Sequence, residues 1–374
     1  MKGTKLEKLR KKIDEIDEKI VSLLNRRAKI ALKISKEKKK LGEEIYSPYR
    51  EKEILERIKK LKNIFPEKSI ENIYSEIISA TRSIEKEIKI AYLGPKGTFT
   101  EVAAIKKFGR SANYIPLHSI KDVFNEVEKG NADFGVVPIE NSSEGSVTST
   151  LDMFFDSNLK ICGEVIIDVV HCLLSNSKIS EIKKLYCHPL AFAQCEEWIS
   201  KNLPNVKIIE VGSTAKAAEI AAKEKNSAAI ASELAAREYN LKILARNIQD
   251  EIVNKTRFLI IGKCVGKYVG RYVGKYVGIG QNSKKSKKIK SKTSILFTVK
   301  HVPGALFRAL KSFSDYKINL TKIESRPIKG KLWEYAFFVD FQGHVNDKKV
   351  KAALKKLKEN CIELKILGSY PEEK

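Results

Sequence analysis

The sequence predicts a multidomain chain: an all-α module, then a two-lobed α/β region, then a small α+β domain of order βαββαβ. Three observations carry this. Apolar residues recur three and four apart from Leu6 to Ile34, strand-like runs alternate with helix starts from Ile88 to Ile261, and strands enclose two helices from Ser294 to Leu367. A chain of 374 residues is long enough for two or three such domains.

In the first module Leu6, Leu9, Ile13, Ile16, Ile20, Leu23, Ile30 and Ile34 trace the seam of one long helix. Arg27 interrupts it. An arginine on an apolar stripe must be paired or must face an anion. Lys38 projects from the same face about 16 Å further along the axis, a spacing that suits a small molecule charged at both ends. A second helix is expected from Pro48 to Lys62. A third is expected from Ser69 to Lys89, with Ile70, Ile73, Ile77, Thr81 and Ile84 on its inner face and Thr81 one turn before Glu85.

The α/β region begins with a strand, Ile88 to Leu93, a turn at Gly94-Pro-Lys-Gly, and Thr98-Phe-Thr-Glu101 as a capping box that opens a helix through Phe108. The same strand-to-helix order recurs at Tyr114 to Leu117 with Ser119 to Lys129. The strand from Phe134 to Val137 then runs into a polar turn bracketed by Pro138 and Gly145. Glu140, Asn141, Ser142, Ser143 and Ser146 crowd the end of this buried strand, where open α/β sheets hold ligands. The alternative is a loop that only caps the next helix. A long strand from Glu164 to Leu174 should cross into a second lobe. That lobe is expected to hold a helix from Pro189 to Asn202, a strand from Val206 to Val211 and a helix after Ser213, with buried strands at Ala228 to Ala231 and Phe258 to Ile261. Two lobes imply a cleft.

Residues 263–292 carry a four-residue repeat from Val265 to Gly278 and then a Lys/Ser run, which predicts a mobile basic linker and leaves a short β-ribbon open. The final domain reads as strand Ser294 to Lys300, helix Pro303 to Phe313, strands Ile318 to Ser325 and Leu332 to Phe341, helix Asn346 to Asn360 and strand Ile362 to Leu367.

The net charge of +25 is unevenly spread: +8 over residues 1–88, 0 over 89–262, +10 over 263–292 and +7 over 293–374. A nucleic-acid binder is expected to carry its charge on a folded face, and here the densest charge lies in the repeat, so no nucleic-acid partner is expected. No run of apolar residues is long enough for a membrane helix, and a soluble cytoplasmic protein is expected. The cysteines at 162, 172, 187, 195, 264 and 361 lack metal-site spacing, so free thiols and no metal are expected.

Four segments, in order, carry a resemblance: Gly94-Pro-Lys-Gly-Thr-Phe-Thr100, the turn from Gly135 to Val147, His188-Pro189 through Gln194-Cys195, and Asn254-Lys-Thr-Arg-Phe258. Together they resemble the prephenate dehydratase family, which implies a two-lobed fold like that of periplasmic solute-binding proteins. The resemblance implies that Thr256 is catalytic, supported by Asn141, Gln194 and Cys187, the last standing where the family usually has serine or threonine. Thr98, Glu140, Ser142 and Arg257 are then expected to bind prephenate, with Arg257 holding a carboxylate. His188 is open to a general-acid or a structural role.

Residues 1–88 resemble the all-helical chorismate mutases. This places Arg10, Arg27, Lys38, Arg50, Glu51, Thr81 and Glu85 on substrate-contacting positions, with Lys38 and Glu85 flanking the ether oxygen and Arg10 reaching into the partner's site of an interlocked dimer. Ser47 stands where that family commonly has aspartate. Residues 293–374 resemble an ACT domain, whose inter-subunit phenylalanine site implicates Gly304, Ala305 and Leu306 with Glu324, Ser325 and Arg326. The implied protein is a cofactor-free, bifunctional, homodimeric or larger enzyme. It would take chorismate through prephenate to phenylpyruvate and be inhibited by L-phenylalanine, with domains 1–88, 89–262 and 293–374 and the linker 263–292. Two alternatives remain: a dehydratase whose helical module only dimerises, and a non-catalytic amino-acid sensor on a solute-binding fold.

Overall fold

The structure, a computed structural model, describes residues 4–41, 46–61, 64–251, 253–263, 289–328 and 334–373. The repeat from Val265 to Gly278 lies outside the described residues. The chain divides into two units, residues 1–88 with 108–112, and residues 89–107 with 113–374.

The first unit is built on α1 (Lys5–Lys40), α2 (Pro48–Lys59) and α3 (Glu67–Glu85). Thr4 starts α1 with a capping box: its hydroxyl accepts from the Glu7 amide (3.3 Å), and the Glu7 carboxylate accepts from the Thr4 amide (2.6 Å). Pro48 opens α2 at a position where a missing N–H costs nothing. Residues 108–112 pack on α3. There Gly109 adopts φ +70°, and a Cβ on it would lie 2.4 Å from Ser79 Cβ, so only glycine fits. α3 ends at Glu85, four residues before the expected end, because the next strand begins at Lys89.

The second unit holds three sheets. The first runs β2 (Asn113–Leu117), β1 (Lys89–Leu93), β3 (Phe134–Asn141), β11 (Lys255–Gly262), β5 (Lys160–Asp168), with the short β4 (Gly145–Ser146) on β3. The second runs β10 (Lys242–Arg246), β6 (Cys172–Ser175), β9 (Ser227–Ala231), β7 (Lys184–Cys187), β8 (Lys207–Glu210). The chain crosses between these lobes twice, after β5 and before β11. The expected continuous strand from Glu164 to Leu174 is therefore two strands in different sheets. The helices of this unit are α4 (Phe99–Phe108), α5 (Ile120–Lys129), α6 (Thr148–Asp156), α7 (Pro189–Ala193), α8 (Glu196–Asn202), α9 (Thr214–Ala221) and α10 (Glu233–Glu238). The expected helix from Pro189 to Asn202 breaks at Gln194. The Asp250 carboxylate accepts from the amides of Glu197 and Trp198 (3.1 Å each), starting α8 afresh.

The third sheet is antiparallel, β13 (Leu320–Pro327), β14 (Tyr335–Gln342), β12 (Ser291–Thr298), β15 (Glu363–Pro371), with α11 (Ala305–Asp315) and α12 (Lys348–Glu359) on one face. β12 starts two residues inside the segment expected as linker. The other face shares a core with the first lobe, where Leu296, Phe338, Leu367 and Tyr370 meet Ile139, Leu151, Phe154 and Leu259. Gly368 permits this closeness: a Cβ there would lie 2.1 Å from the Ile161 carbonyl oxygen.

Candidate active sites

In the helical unit, the Arg27 guanidinium donates from Nη1 to Thr81 Oγ1 (2.5 Å), and Thr81 in turn donates to the Ile77 carbonyl (2.6 Å). One turn on, burial raises the Glu85 carboxyl above the usual range, while Lys38, Arg27 and Arg82 pull it back down. Three cations from two helices thus surround one half-buried acid. Glu51 is held by Arg82 (2.6 Å), a buried residue whose guanidinium also donates to the Phe108 carbonyl (2.5 Å) and lies over the Tyr46 and Phe108 rings. Ser47 is buried and starts α2 without a capping hydrogen bond. Arg50 pairs instead with Glu53 (2.7 Å), and Arg10 stands on the exposed face of α1. The apolar seam of α1 is exposed as well.

In the second unit a chain of amides runs across the two crossovers. Asn141 Nδ2 donates to Thr256 Oγ1 (2.8 Å) and to Asn254 Oδ1 (3.1 Å); Asn254 Nδ2 donates to Gln194 Oε1 (2.8 Å). That Gln194 oxygen can only accept, so His171, 2.9 Å away, holds its proton on Nε2. Burial lowers the His171 pKa, keeping the ring neutral against the raising effect of Gln194. Asn141 Oδ1 accepts from the amides of Ser143 and Glu144, which fixes the polar turn. At the other end, Thr256 accepts from Asn141, and among the described residues its own hydrogen has no acceptor. Glu144 borders the chain, with Gln194 Nε2 3.5 Å from its Oε1; burial raises its carboxyl and His188 lowers it.

The remaining expected residues are placed differently. Thr98 caps α4 by accepting from the Glu101 amide (3.4 Å) and donates to the Leu93 carbonyl (3.1 Å), and the Glu101 carboxylate accepts from the Gly97 amide (2.5 Å). Ser142 pairs with the Lys255 backbone through both its amide and its hydroxyl. His188 caps α7, its Nδ1 accepting from the Leu190 amide (3.3 Å). Cys187 is wholly buried in the apolar core of the second lobe with Leu173, Ala191 and Cys195, its thiol pushed up to about 11 by burial. Among the described residues no hydrogen bond joins it to the amide chain. Cys162 departs from the expectation of free thiols, being disulfide-bonded.

Arg257 and Glu140, opposite each other on neighbouring strands, stand 3.7 Å apart. Arg257 Nε donates to Glu164 of β5 (2.7 Å) and Nη2 to the Tyr370 hydroxyl of β15 (3.0 Å), so its guanidinium links the first sheet to the C-terminal sheet. Glu140 pairs with Lys322 of β13 (3.1 Å). On the same strand Glu324 accepts from Ser146 (2.6 Å) and Arg326 makes a fork with Asp152 (3.0 and 3.1 Å). Of the six expected phenylalanine residues, Ala305 and Leu306 line a cavity of about 370 Å³ with His301, Pro303, Tyr335 and Phe337. Gly304 is the left-handed N-cap of α11 (φ +73°), and Ser325 is exposed on the outer face of β13.

The prephenate dehydratase family matches residues 90–265, type II chorismate mutase residues 9–86, and the ACT domain residues 293–359. The chain is 51% identical to the bifunctional chorismate mutase/prephenate dehydratase of Aquifex aeolicus, with 98% of each chain covered. It is 39% identical to that of Pseudomonas aeruginosa, again over 98% of each. The chain belongs to the bifunctional chorismate mutase/prephenate dehydratases. Among solved structures it is similar to the prephenate dehydratase of Arthrobacter aurescens in complex with L-Phe, at 32% identity and a TM-score of 0.66 over 76% of this chain and 90% of that one.

A bifunctional chorismate mutase/prephenate dehydratase carries both activities in phenylalanine biosynthesis, which sets aside the purely dimerising arm and the non-catalytic sensor. Among the described residues no helix is long and apolar enough to cross a membrane. Sequence reasoning missed Arg82 and His171, and quoted Asn254 within a motif without giving it a role. Arg82 follows Thr81 on a helix whose inner face was already assigned, and its burial was the missing information. His171 and Asn254 lie on the crossovers, where no periodicity marks a side chain's direction.

Proposed function

We propose that Thr256 is the dehydratase's proton donor. Prephenate loses carbon dioxide and its ring hydroxyl together, and the ring becomes aromatic as the carboxylate's bonding electrons enter it. The enzyme's task is to help hydroxide leave. The observation that carries the assignment is the direction of the amide chain: Asn141 donates to Thr256, leaving the threonine hydrogen free for the departing oxygen. Asn141, Asn254 and Gln194 hold that hydroxyl in place, His171 anchors the chain's far end as a neutral donor, and Glu144, beside Gln194, resupplies the proton.

In the mutase, Arg27, Lys38 and Arg82 supply the positive field for a dianionic substrate, with Thr81 orienting Arg27. Protonated Glu85 donates a hydrogen bond as negative charge grows on the ether oxygen. Arg10 and the exposed seam of α1 belong to a homodimer in which Arg10 completes the partner's site. Phenylalanine occupies the cavity at Ala305 and Leu306 and lowers dehydratase activity; a phenylalanine-bound dehydratase relative supports this. We assign the domains as 1–88, 89–262 and from Ser291 onward, in a cytoplasmic enzyme.

The test is a coupled assay in which chorismate alone, then prephenate alone, is converted and phenylpyruvate followed, with and without phenylalanine. Thr256→Val is expected to lower prephenate turnover about 100-fold or more, the usual worth of a positioned proton donor, with chorismate still converted to prephenate. Unchanged prephenate turnover would remove Thr256 from the reaction.

A further inference from the structure

Strands β3 and β11 pair antiparallel with Thr256 opposite Asn141 and Arg257 opposite Glu140. Neighbouring residues on a strand face opposite sides of the sheet. The first pair therefore enters the amide chain of the cleft, and the second faces the C-terminal sheet. Behind the sheet, groups from three strands converge on a single guanidinium. Arg257 meets Glu164 from β5 (2.7 Å), Asp340 from β14 (Nη1 to Oδ2, 2.6 Å) and Tyr370 from β15 (3.0 Å), the last two belonging to the C-terminal sheet. The Asp340 approach is a close ion pair. Lys292 at the start of β12 donates to both Glu164 oxygens (3.0 Å each), and Ser294 joins Asp340 to Tyr370. Glu164, Asp340 and Tyr370 are completely buried.

Arg257 and Lys292 face the buried Glu164 and Asp340, with the half-exposed Glu140 3.7 Å from Arg257 and itself paired to Lys322, so the buried charges are compensated. A buried ion cluster nevertheless contributes little net stability compared with apolar side chains of the same shape. What it supplies is geometry, because a guanidinium fork accepts partners only in fixed directions.

We propose that Arg257 is a positioning residue of the dehydratase: the C-terminal sheet holds its guanidinium, and the adjoining peptide thereby sets the aim of the Thr256 hydroxyl. This rests on the reading of Thr256 as the proton donor. Substrate does not touch Arg257. The C-terminal domain thus bears on the reaction through one covalent step of β11. A second grip, from Lys322 and Glu324 onto Glu140 and Ser146, bears on the strand end that carries Asn141.

The experiment uses the full chain with Arg257→Lys, Asp340→Asn and Tyr370→Phe, measuring kcat and KM for prephenate, with mutase turnover and thermal midpoint on the same samples. Arg257→Lys and Asp340→Asn should lower dehydratase kcat about 10- to 100-fold, the cost of a small misplacement of a reacting group, while KM moves less than about threefold and mutase turnover is kept. Tyr370→Phe removes no charge and should lower kcat about threefold; it decides the matter if Asp340→Asn fails to fold. A raised KM at unchanged kcat in Arg257→Lys would mean that Arg257 holds a substrate carboxylate, overturning the proposal. Wild-type kcat in folded Asp340→Asn and Tyr370→Phe would make the cluster merely structural and would overturn it equally. Thr256→Val separates the two levels. If it retains activity, the donor assignment falls and takes this proposal with it; if it is inactive while the network variants are normal, only the positioning role falls.

Discussion

Ile16→Glu in the middle of the α1 seam should disable the mutase while leaving the dehydratase intact. The eight apolar side chains of the seam are 48–62% exposed in the single chain, on a helix of 36 residues. Burying the open half of one leucine or isoleucine is worth roughly 1 kcal/mol. Sixteen such side chains in a dimer would then contribute on the order of 16 kcal/mol, against an association cost of about 4–15 kcal/mol. The surplus, about 1–12 kcal/mol, reaches dissociation constants at or below micromolar when the association cost lies in the lower part of that range. A glutamate at position 16 removes one such burial per chain and leaves a carboxylate facing an apolar partner, costing at least about 2 kcal/mol per chain. Two chains double this, so dimerisation through α1 should weaken about a thousandfold. The assay is mutase and dehydratase turnover on dilution from about 10 μM to about 10 nM, a range that spans dissociation constants of that order. Mutase turnover should collapse in the variant because Arg10 no longer reaches a partner's site, and prephenate turnover should persist. Full mutase turnover by Ile16→Glu at every concentration would refute both the dimer and the role given to Arg10.

Further outcomes concern single groups. Burial holds the Glu85 pKa up against Lys38, Arg27 and Arg82, and the protonated form is the donor. Mutase kcat/KM should therefore be full below the raised pKa and fall as pH rises through it. Glu85→Gln should give a flat profile between about pH 4 and pH 8, the range in which a perturbed carboxyl titrates. Gly368→Ala would set a methyl group 2.1 Å from the Ile161 carbonyl oxygen, forcing β15 off β5; a loss of about 3 kcal/mol and a drop of about 6–12 °C in thermal midpoint should follow. Cys187→Ser, although it restores a hydroxyl usual in the family, should raise no dehydratase rate. It should cost about 1–3 kcal/mol by placing that hydroxyl in an apolar core, measurable by urea denaturation.

The residues that were legible share one property: a period tells where they point. The 3.6-residue spacing of α1 set Arg27 and Lys38 on one face, and the structure has both acting on Glu85. The βαββαβ order was legible for the same reason, since alternating apolar strands and amphipathic helices leave one arrangement with all faces buried. Gln194 was found by motif, but its place at the end of α7 depends on a helix break made by Asp250, which no local pattern near residue 194 announces. Asn254 and His171 depend on where the two crossovers pass, a property of the folded topology. Arg257 differs from these. Thr256 and Arg257 are adjacent on one strand, so period two forbids both from entering the same cleft, and Glu140 and Asn141 obey the same rule. A motif read as a string of site residues conceals this, because a Thr-Arg pair on a strand addresses both faces of its sheet. In this chain one face carries the Asn141–Thr256–Asn254–Gln194 amide chain and the other meets the C-terminal sheet. The second residue is there to serve the first from behind.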